Sequence, residues 1–393
     1  MSGFTSAQTG DFDKYFMTTT ELIDRYAIGG LWGWGNDSYG RLGDNSIATK
    51  SSPVQTVALG TNWKQVAPRM YQHSAIIKTD GTLWVCGYNV DGELGDSTRT
   101  HRSSPVQVVG STNTWKQVAC GNFHTAAIKT DGTMWAWGFN STGQIGDSTV
   151  TNKSAPSQVI GSDNNWKQVA GGQYFTAGLK TDGTLWMWGD NYYGQLGDSS
   201  ISHRSVPVQV VGSTNTWKQV ACGLNHTAAL KTDGTLWTWG YNFDGELGDN
   251  TSVTYRNSPV QTAAGGSNWK QVACGEWHCS AIKTNGTLWS WGYNLDGELG
   301  DSTRITKSSP VQTISGGTNW KQVACGHYHT SGIKTDGTLW IWGYNSNAQL
   351  GDSTVDSKSS PIQTIAGGNN WKQVGLGAFH SMGIQYSDIG QIL

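Results

Sequence analysis

Lys180-Thr181-Asp182-Gly183-Thr184-Leu185-Trp186-Met187-Trp188-Gly189 is the stretch from which the rest of the chain can be read, and Lys-Thr-Asp-Gly-Thr-Leu-Trp-x-Trp-Gly returns at 231–240 and 334–343. Asp182-Gly183 is a dipeptide that tolerates the positive φ angles of a two-residue hairpin turn. Beyond it the residues alternate, so Trp186 and Trp188 project from one face of a strand and Leu185 and Met187 from the other. Gly189 ends the strand. The pattern is the second half of a β-hairpin whose two-tryptophan face has to be buried, and burying it takes neighbours that carry the same face.

The chain supplies them. Leu-Trp-x-Trp-Gly or a close variant starts at Leu31, Leu83, Met134, Leu185, Leu236, Leu288 and Leu339. A second marker, Trp-Lys-Gln-Val, starts at Trp63, Trp115, Trp166, Trp217, Trp269, Trp320 and Trp371, at successive intervals of 52, 51, 51, 52, 51 and 51 residues. Between the markers lie a Leu-Gly-Asp turn, a Ser/Thr-rich loop, a Pro-x-Gln segment and a Gly-x-x-His strand, so each period holds about four short strands. That is one propeller blade. The chain enters on the Trp-x-Trp strand without its hairpin partner and leaves on the partner strands without a following Trp-x-Trp. The expected fold is therefore all-β, a seven-bladed β-propeller over residues 31–386 closed by an N-terminal strand that completes the last blade, with no open edge between first and last blades.

Residues 1–30 stand outside the repeat, and 387–393 form a short tail. Thr18 and Glu21 have capping-box spacing ahead of Leu22, Ile23 and Tyr26, which predicts a short helix over about 19–27 closed by Gly29-Gly30. With Phe12, Tyr15 and Phe16, these apolar residues give the segment two readings: a tail packed on the propeller, or an anchor that docks into a larger assembly.

Composition excludes several classes. A net charge of −2 gives no basic face for nucleic acid or an acidic membrane. No run of about 18 apolar residues exists to span a bilayer. No ordinary secretory signal opens the chain. The 53 glycines and 21 tryptophans suit tight turns and a large aromatic packing area. Of six cysteines, Cys120, Cys222, Cys274 and Cys325 occupy one equivalent position, as small buried residues would, and inert core thiols are expected rather than disulfides or a metal.

Gly194-Gln195-Leu196-Gly197 and Cys222-Gly223-Leu224-Asn225-His226-Thr227-Ala228-Ala229-Leu230, repeated at this period, resemble the regulator of chromosome condensation repeat family over about 31–384. The resemblance implies a seven-bladed propeller with shared-blade closure. It leaves function open, because that family includes a nucleotide exchange factor, a plant ultraviolet photoreceptor and many interaction modules. The photoreceptor's tryptophans are flanked by arginines in Gly-Trp-Arg-His-Thr motifs. The nearest text here, Gly275-Glu276-Trp277-His278-Cys279, has none, so light sensing is not expected. Asp11, Asp13, Glu21 and Asp24 against Lys14 and Arg25 in the first 30 residues argue against a basic chromatin-binding tail.

Histidine recurs at His73, His124, His226, His278, His329 and His380, with Phe175 in the seventh place. Because phenylalanine substitutes for it, a structural hydrogen bond to a neighbouring strand fits better than a metal. The Asn-x-Asp-Gly-Glu segments at 89–93, 242–246 and 294–298 gather oxygen atoms, but no EF-hand ligand order is present, and a glycine-centred turn explains them with their counterparts. No catalytic constellation, cofactor or metal is expected, since each would-be catalytic residue occurs in several copies.

The repeats disagree just before the histidine, where Tyr71, Phe123, Tyr174, Trp277, Tyr328 and Phe379 stand with Asn225. Opening on one face, they would form an aromatic ring for protein or glycan contact; the alternative is packing between blades. The fifth copy also carries one extra loop residue near Tyr255 and Arg256. The favoured expectation is a non-catalytic recognition propeller of a virus particle, a structural or appendage protein tethered to an assembly subunit through residues 1–30, and otherwise cytoplasmic. The alternatives are an intracellular scaffold and an exchange-factor-like regulator of a small GTPase, which would need one acidic or wedge-like loop unlike its six counterparts; no such loop stands out in the sequence.

Overall fold

The computed structural model describes residues 29–386 apart from 58–61, 69–72, 111–112, 162–163, 213–214, 315–316 and 366. The expected helix over 19–27, the anchor residues, Tyr71 and the 387–393 tail lie outside the described residues. Seven four-stranded antiparallel sheets make up the fold. Blades I to VI run in chain order over 63–107, 115–158, 166–209, 217–261, 269–312 and 320–363. Blade VII is composite. Its two inner strands are Trp371–Leu376 and His380–Tyr386, and its two outer ones are Gly29–Gly35 and Lys50–Gln55.

The closure is the one read from the ends of the repeat, with the entering tryptophan strand paired in full register from Gly29 opposite Tyr386 to Gly35 opposite His380. Two N-terminal strands complete the blade, where one was expected, because the Lys50–Gln55 strand hydrogen-bonds outside the first. In every blade Trp-Lys-Gln-Val is innermost, the histidine strand second, the Trp-x-Trp strand third and the Pro-x-Gln strand outermost. A proline in each outermost strand leaves one ladder donor missing at the sheet edge, where proline is tolerated and discourages further pairing.

Two sequence-level details change. Only Gly183 of the Asp-Gly pair takes a positive φ, 84°. Its N–H closes a turn onto the Lys180 carbonyl at 3.1 Å, while the Asp182 carboxylate accepts Thr184 N–H at 2.9 Å and Thr184 Oγ1–H at 2.7 Å. This is a turn followed by a left-handed glycine, and a Cβ there would lie 2.5 Å from the Asn215 carbonyl oxygen. The two-tryptophan face is also not uniformly buried. Trp188 is fully enclosed, whereas Trp186 is half-buried and shares Lys180 with Trp166, the ammonium sitting 4.7 Å and 5.1 Å from the two rings. Six blades repeat that sandwich.

The enclosed tryptophan does two things. Trp188 meets Trp166 of the innermost strand at 5.9 Å with the rings tilted by 60°, across Gly178, where a Cβ would lie 2.4 Å from the Trp166 ring. Its Nε1–H reaches into the preceding blade and donates to the Gln144 carbonyl at 2.9 Å. The same staple joins Trp137 to Glu93, Trp239 to Gln195, Trp291 to Glu246, Trp342 to Glu298 and Trp34 to Gln349. Each ring buries area worth roughly 2–3 kcal/mol relative to exposure, and the staple fixes its direction.

Candidate functional site

The antiparallel connections divide the loops between two faces. The Gly-x-x-His loops and the long loops after Trp-Gly share one face; the Lys-Thr-Asp-Gly-Thr turns and the blade-to-blade connections share the other. The first face carries the expected aromatic ring. Phe123 and Tyr174 stack at 5.5 Å across a blade boundary, and His327 lies between Tyr328 and Phe379, 3.7 Å and 5.6 Å away. All five described members, Trp277 included, are half-buried, so they both pack between blades and stay accessible.

A second aromatic set escaped the sequence reading although it directly follows Trp-x-Trp-Gly or its variant: Tyr88, Phe139, Tyr241, Tyr293 and Tyr344. Phe139 packs on Phe123 and Tyr174, and Tyr344 on Tyr328 and Phe379. The sevenfold pattern breaks where Tyr39, Tyr88 and His101 pack together, and more extensively in a second sector. There Tyr192 contacts Tyr193 at 4.9 Å, Tyr193 contacts Tyr241 at 4.8 Å, and Tyr241 contacts both Phe243 at 6.5 Å and Trp277 at 5.6 Å. Tyr192 is 65 %, Phe243 68 % and neighbouring Leu295 56 % exposed. The extra residue in blade IV lengthens its outer two strands, so that Tyr241 pairs with Tyr255 beyond the point where the other sheets end. Asp244 and Asp296 lie in the same loops, and burial raises both carboxyls above their ordinary range.

Beneath this face the histidines have a structural role. His278 Nε2 bonds Thr330 Oγ1 of the next blade at 2.8 Å, and that hydroxyl gives its proton to the Glu298 carbonyl at 2.8 Å. A hydroxyl has one proton to give, so Nε2 must be the donor and the imidazole is the neutral Nε2–H tautomer. Burial agrees, holding His73 down to about 4 and His278 and His329 to about 3. The belt continues through His73–Thr125, His124–Thr176, His329–Ser381 and His380–Ser74.

In blade V the hydroxyl is replaced by Cys279, whose sulfur lies 3.2 Å from His226 Nε2. With Cys274 these form the one metal-capable group among the described residues, their donor atoms within 4.8 Å of one another. Burial pushes the Cys279 thiol well above its ordinary value, which keeps it protonated beside His226 near neutrality. The Asn-x-Asp-Gly-Glu loops are wired internally. Asn89 accepts Leu94 N–H at 2.9 Å and donates to Asp96, while Glu93 accepts Asp91 N–H at 3.0 Å. Burial raises Glu93 and Glu298 to about 8 and Glu246 to about 7, so near neutrality the first two are mostly protonated and Glu246 about half.

The axial channel, about 240 Å³, is lined by the innermost strands. At the aromatic face Leu224 and Ala378, from blades IV and VII, pack together with Trp277 and Phe379, and the buried Glu276–His327 pair adjoins them. The opposite mouth is lined by lysine and glutamine. The lysine of every Trp-Lys-Gln-Val is the extra residue of a β-bulge: Lys64, Lys116, Lys167, Lys218, Lys270, Lys321 and Lys372. All are exposed except half-buried Lys372. The expectation that a net charge of −2 leaves no basic face is thus corrected, because the repeat gathers like charges that composition averages away.

Comparison with known proteins agrees with this architecture. The RCC1-like domain profile matches residues 26–252, and the regulator of chromosome condensation (RCC1) repeat matches 233–282, 285–333 and 336–384. The chain is 29 % identical over 323 residues to the ultraviolet-B receptor UVR8 of Arabidopsis thaliana, covering 81 % of this chain and 73 % of the receptor. It is 28 % identical over 369 residues to the mitochondrial RCC1 domain-containing protein RUG3 of the same plant, covering 85 % and 82 %. To the human E3 ubiquitin-protein ligase HERC2 it is 30 % identical over 77 % of its length, but it spans only 6 % of that ligase. Among solved structures, human WBSCR16 superposes with a TM-score of 0.82 at 22 % identity, covering 91 % of this chain and 99 % of that one. Prp20p from Saccharomyces cerevisiae gives 0.81 at 20 %, covering 95 % and 96 %. These likenesses overturn the virion reading, in both function and location: the relatives are cellular proteins of plants, animals and yeast, one of them mitochondrial. The expected assembly subunit and glycan have no counterpart among them.

Proposed function

Since the chain belongs to the RCC1-like family, we propose that it is a non-catalytic, protein-binding propeller acting as an exchange-factor-like regulator of a small GTPase. The observation that carries this reading is the second broken sector. The Tyr192–Tyr193–Tyr241–Phe243–Trp277 ladder is the one described run of aromatics that both crosses three blades and stands well out of the surface. Large, rigid aromatic side chains beside carboxyls are the composition of a protein-contact hot spot. In this reading the ladder, spread over neighbouring blades, takes the place of the single divergent loop that the sequence does not offer. Prp20p, studied for its binding to Gsp1p and histones, is built on the same disc.

The test is nucleotide release from Gsp1p preloaded with fluorescent GDP. The intact chain is expected to accelerate release, and Phe243→Ala with Trp277→Ala to abolish the acceleration while leaving thermal unfolding within a few degrees of the parent. Binding without acceleration would leave an interaction scaffold in place of a regulator. Neither binding nor acceleration would remove this GTPase as the partner.

A further inference from the structure

The lysines of the channel mouth contrast with the other basic residues of the repeat. At the start of the outermost strands, Lys50 pairs with Asp44 at 3.1 Å, Arg102 with Asp96 at 2.9 Å and Arg204 with Asp198 at 2.7 Å. Among the described residues, no ion pair involves any of the seven bulged lysines. The aspartates of this face among the described residues, Asp80, Asp131, Asp182, Asp233 and Asp336, sit in the outer Lys-Thr-Asp-Gly-Thr turns, where Asp182, for instance, is taken up by Thr184. The innermost strands have the smallest circumference of the disc, so repeating a cation there brings like charges as close as the fold permits, which is unfavourable unless an anion joins them.

The floor beneath is fixed. Gln65 bonds both the N–H and the carbonyl of Val118 in the next blade, at 3.1 Å and 2.8 Å, and Gln219 does the same to Val272. Lys64, Lys321 and Lys372, from the contiguous blades I, VI and VII, line one depression over such glutamines, with the Lys372 ammonium also 4.8 Å from the Tyr386 ring. At the far end of the channel Leu224 and Ala378 pack together under Trp277 and Phe379, so the two ends differ in character, one apolar and one cationic, and the cationic end forms a shallow cup.

We propose that this cup binds a compact anion bearing several phosphate groups, either a free polyphosphorylated molecule or the headgroup of a polyphosphoinositide. A ring of flexible ammonium groups around an axis matches phosphates distributed around one small molecule; a single phosphate reaches too few of them. The site is on the face opposite the aromatic ladder and is independent of the GTPase reading.

Calorimetry with inositol hexakisphosphate on the full chain tests it, with inorganic phosphate alongside. One-to-one binding is expected for the hexakisphosphate, weakening steeply with added salt, and much weaker binding for phosphate. Combining Lys64→Ala, Lys321→Ala and Lys372→Ala should weaken binding roughly tenfold or more. Lys153→Ala with Lys358→Ala, on paired lysines of the other face, should leave it unchanged. Phosphatidylcholine vesicles with and without a phosphatidylinositol bisphosphate separate the sources: retention only by the phosphoinositide vesicles, reversed by free hexakisphosphate, assigns the headgroup, and no retention assigns the free anion. The proposal fails if neither probe binds, if the triple variant binds as well as the parent, or if a single-stranded oligonucleotide binds more tightly than either.

Discussion

A single position shows how burial sets chemistry in this chain. At 93, 144, 195, 246, 298 and 349 the repeat carries Glu, Gln, Gln, Glu, Glu and Gln, all of them buried. A protonated glutamate has nearly the shape of glutamine and, like it, carries no charge, though it offers one donor where the amide offers two, and burial raises Glu93 and Glu298 to about 8 and Glu246 to about 7. These folded-state values lie above the ordinary 4.5 of a glutamate, so the folded chain holds protons that the unfolded one has released. Their stabilisation is complete below about pH 4.5 and is lost as pH rises through 7 to 8. The buried histidines have the opposite sign: His73, His278 and His329, depressed to about 4 or 3, destabilise the fold as pH falls below 6.5. Replacing Glu93, Glu246 and Glu298 together by Gln should therefore raise stability at pH 8 by on the order of 1–3 kcal/mol per site and change little at pH 4.5. Urea titrations of parent and variant across that range decide it. Parallel pH curves would mean that the carboxyls are already ionised in the fold.

Within one blade, departures from the repeat compensate one another. Blade I has Cys86 where six blades have the enclosed tryptophan, and Ile76 where the others have alanine or glycine. Both are fully buried in one cluster with Trp63 and Trp84. Isoleucine fills the space that the missing indole leaves, and the Cys86 thiol keeps the staple by donating to the Arg41 carbonyl at 3.4 Å. Cys86→Trp alone should overpack this blade by about 1–3 kcal/mol. Ile76→Ala alone should open a cavity costing about 2–4 kcal/mol. The double variant should recover most of both losses, with a coupling of at least about 1 kcal/mol in a denaturation cycle; additive losses would disprove the compensation. The exchange of volume is visible in the sequence only once Ile76 and Cys86 are known to share a cluster. The same holds for the channel lysines: Trp-Lys-Gln-Val announced seven strands, but a bulge at the lysine, which turns it to the mouth, is a matter of register that side-chain alternation does not forecast. The blade period and the histidine belt could be read because they depend on local pattern alone. The ladder from Tyr192 to Trp277 could not, since its members are far apart in the chain and meet only when three blades stand side by side.

At the scale of the disc, stability rests on the composite blade. The other six join their second and third strands through Thr-Asp-Gly-Thr or Thr-Asn-Gly-Thr, as between Lys129 and Met134. In blade VII the equivalent positions are Gln385 and Leu31, which the chain leaves unconnected although Leu31 already pairs with Ile384. Trp34 there crosses to Trp371 at 6.0 Å and staples to Gln349 of blade VI at 2.8 Å, so the junction has the contacts of any other. What it lacks is covalent continuity, and the hydrogen bonds of Gly29–Gly35 alone keep blade VII from presenting an open edge. A permuted chain that joins Gln385 to Leu31 by Thr-Asp-Gly-Thr and opens between Gln209 and Trp217 should fold to the same disc. It should unfold in one transition no lower than the parent's, because the closing hairpin becomes a local contact and the new ends fall between blades. A chain beginning at residue 56 should instead lose the outer half of blade VII, expose the His380–Tyr386 strand as an edge, and self-associate. Calorimetry and light scattering on the two separate the possibilities. If the truncated chain stays monomeric with an unchanged transition, the ring is held by its inner strands and the entering ribbon is dispensable.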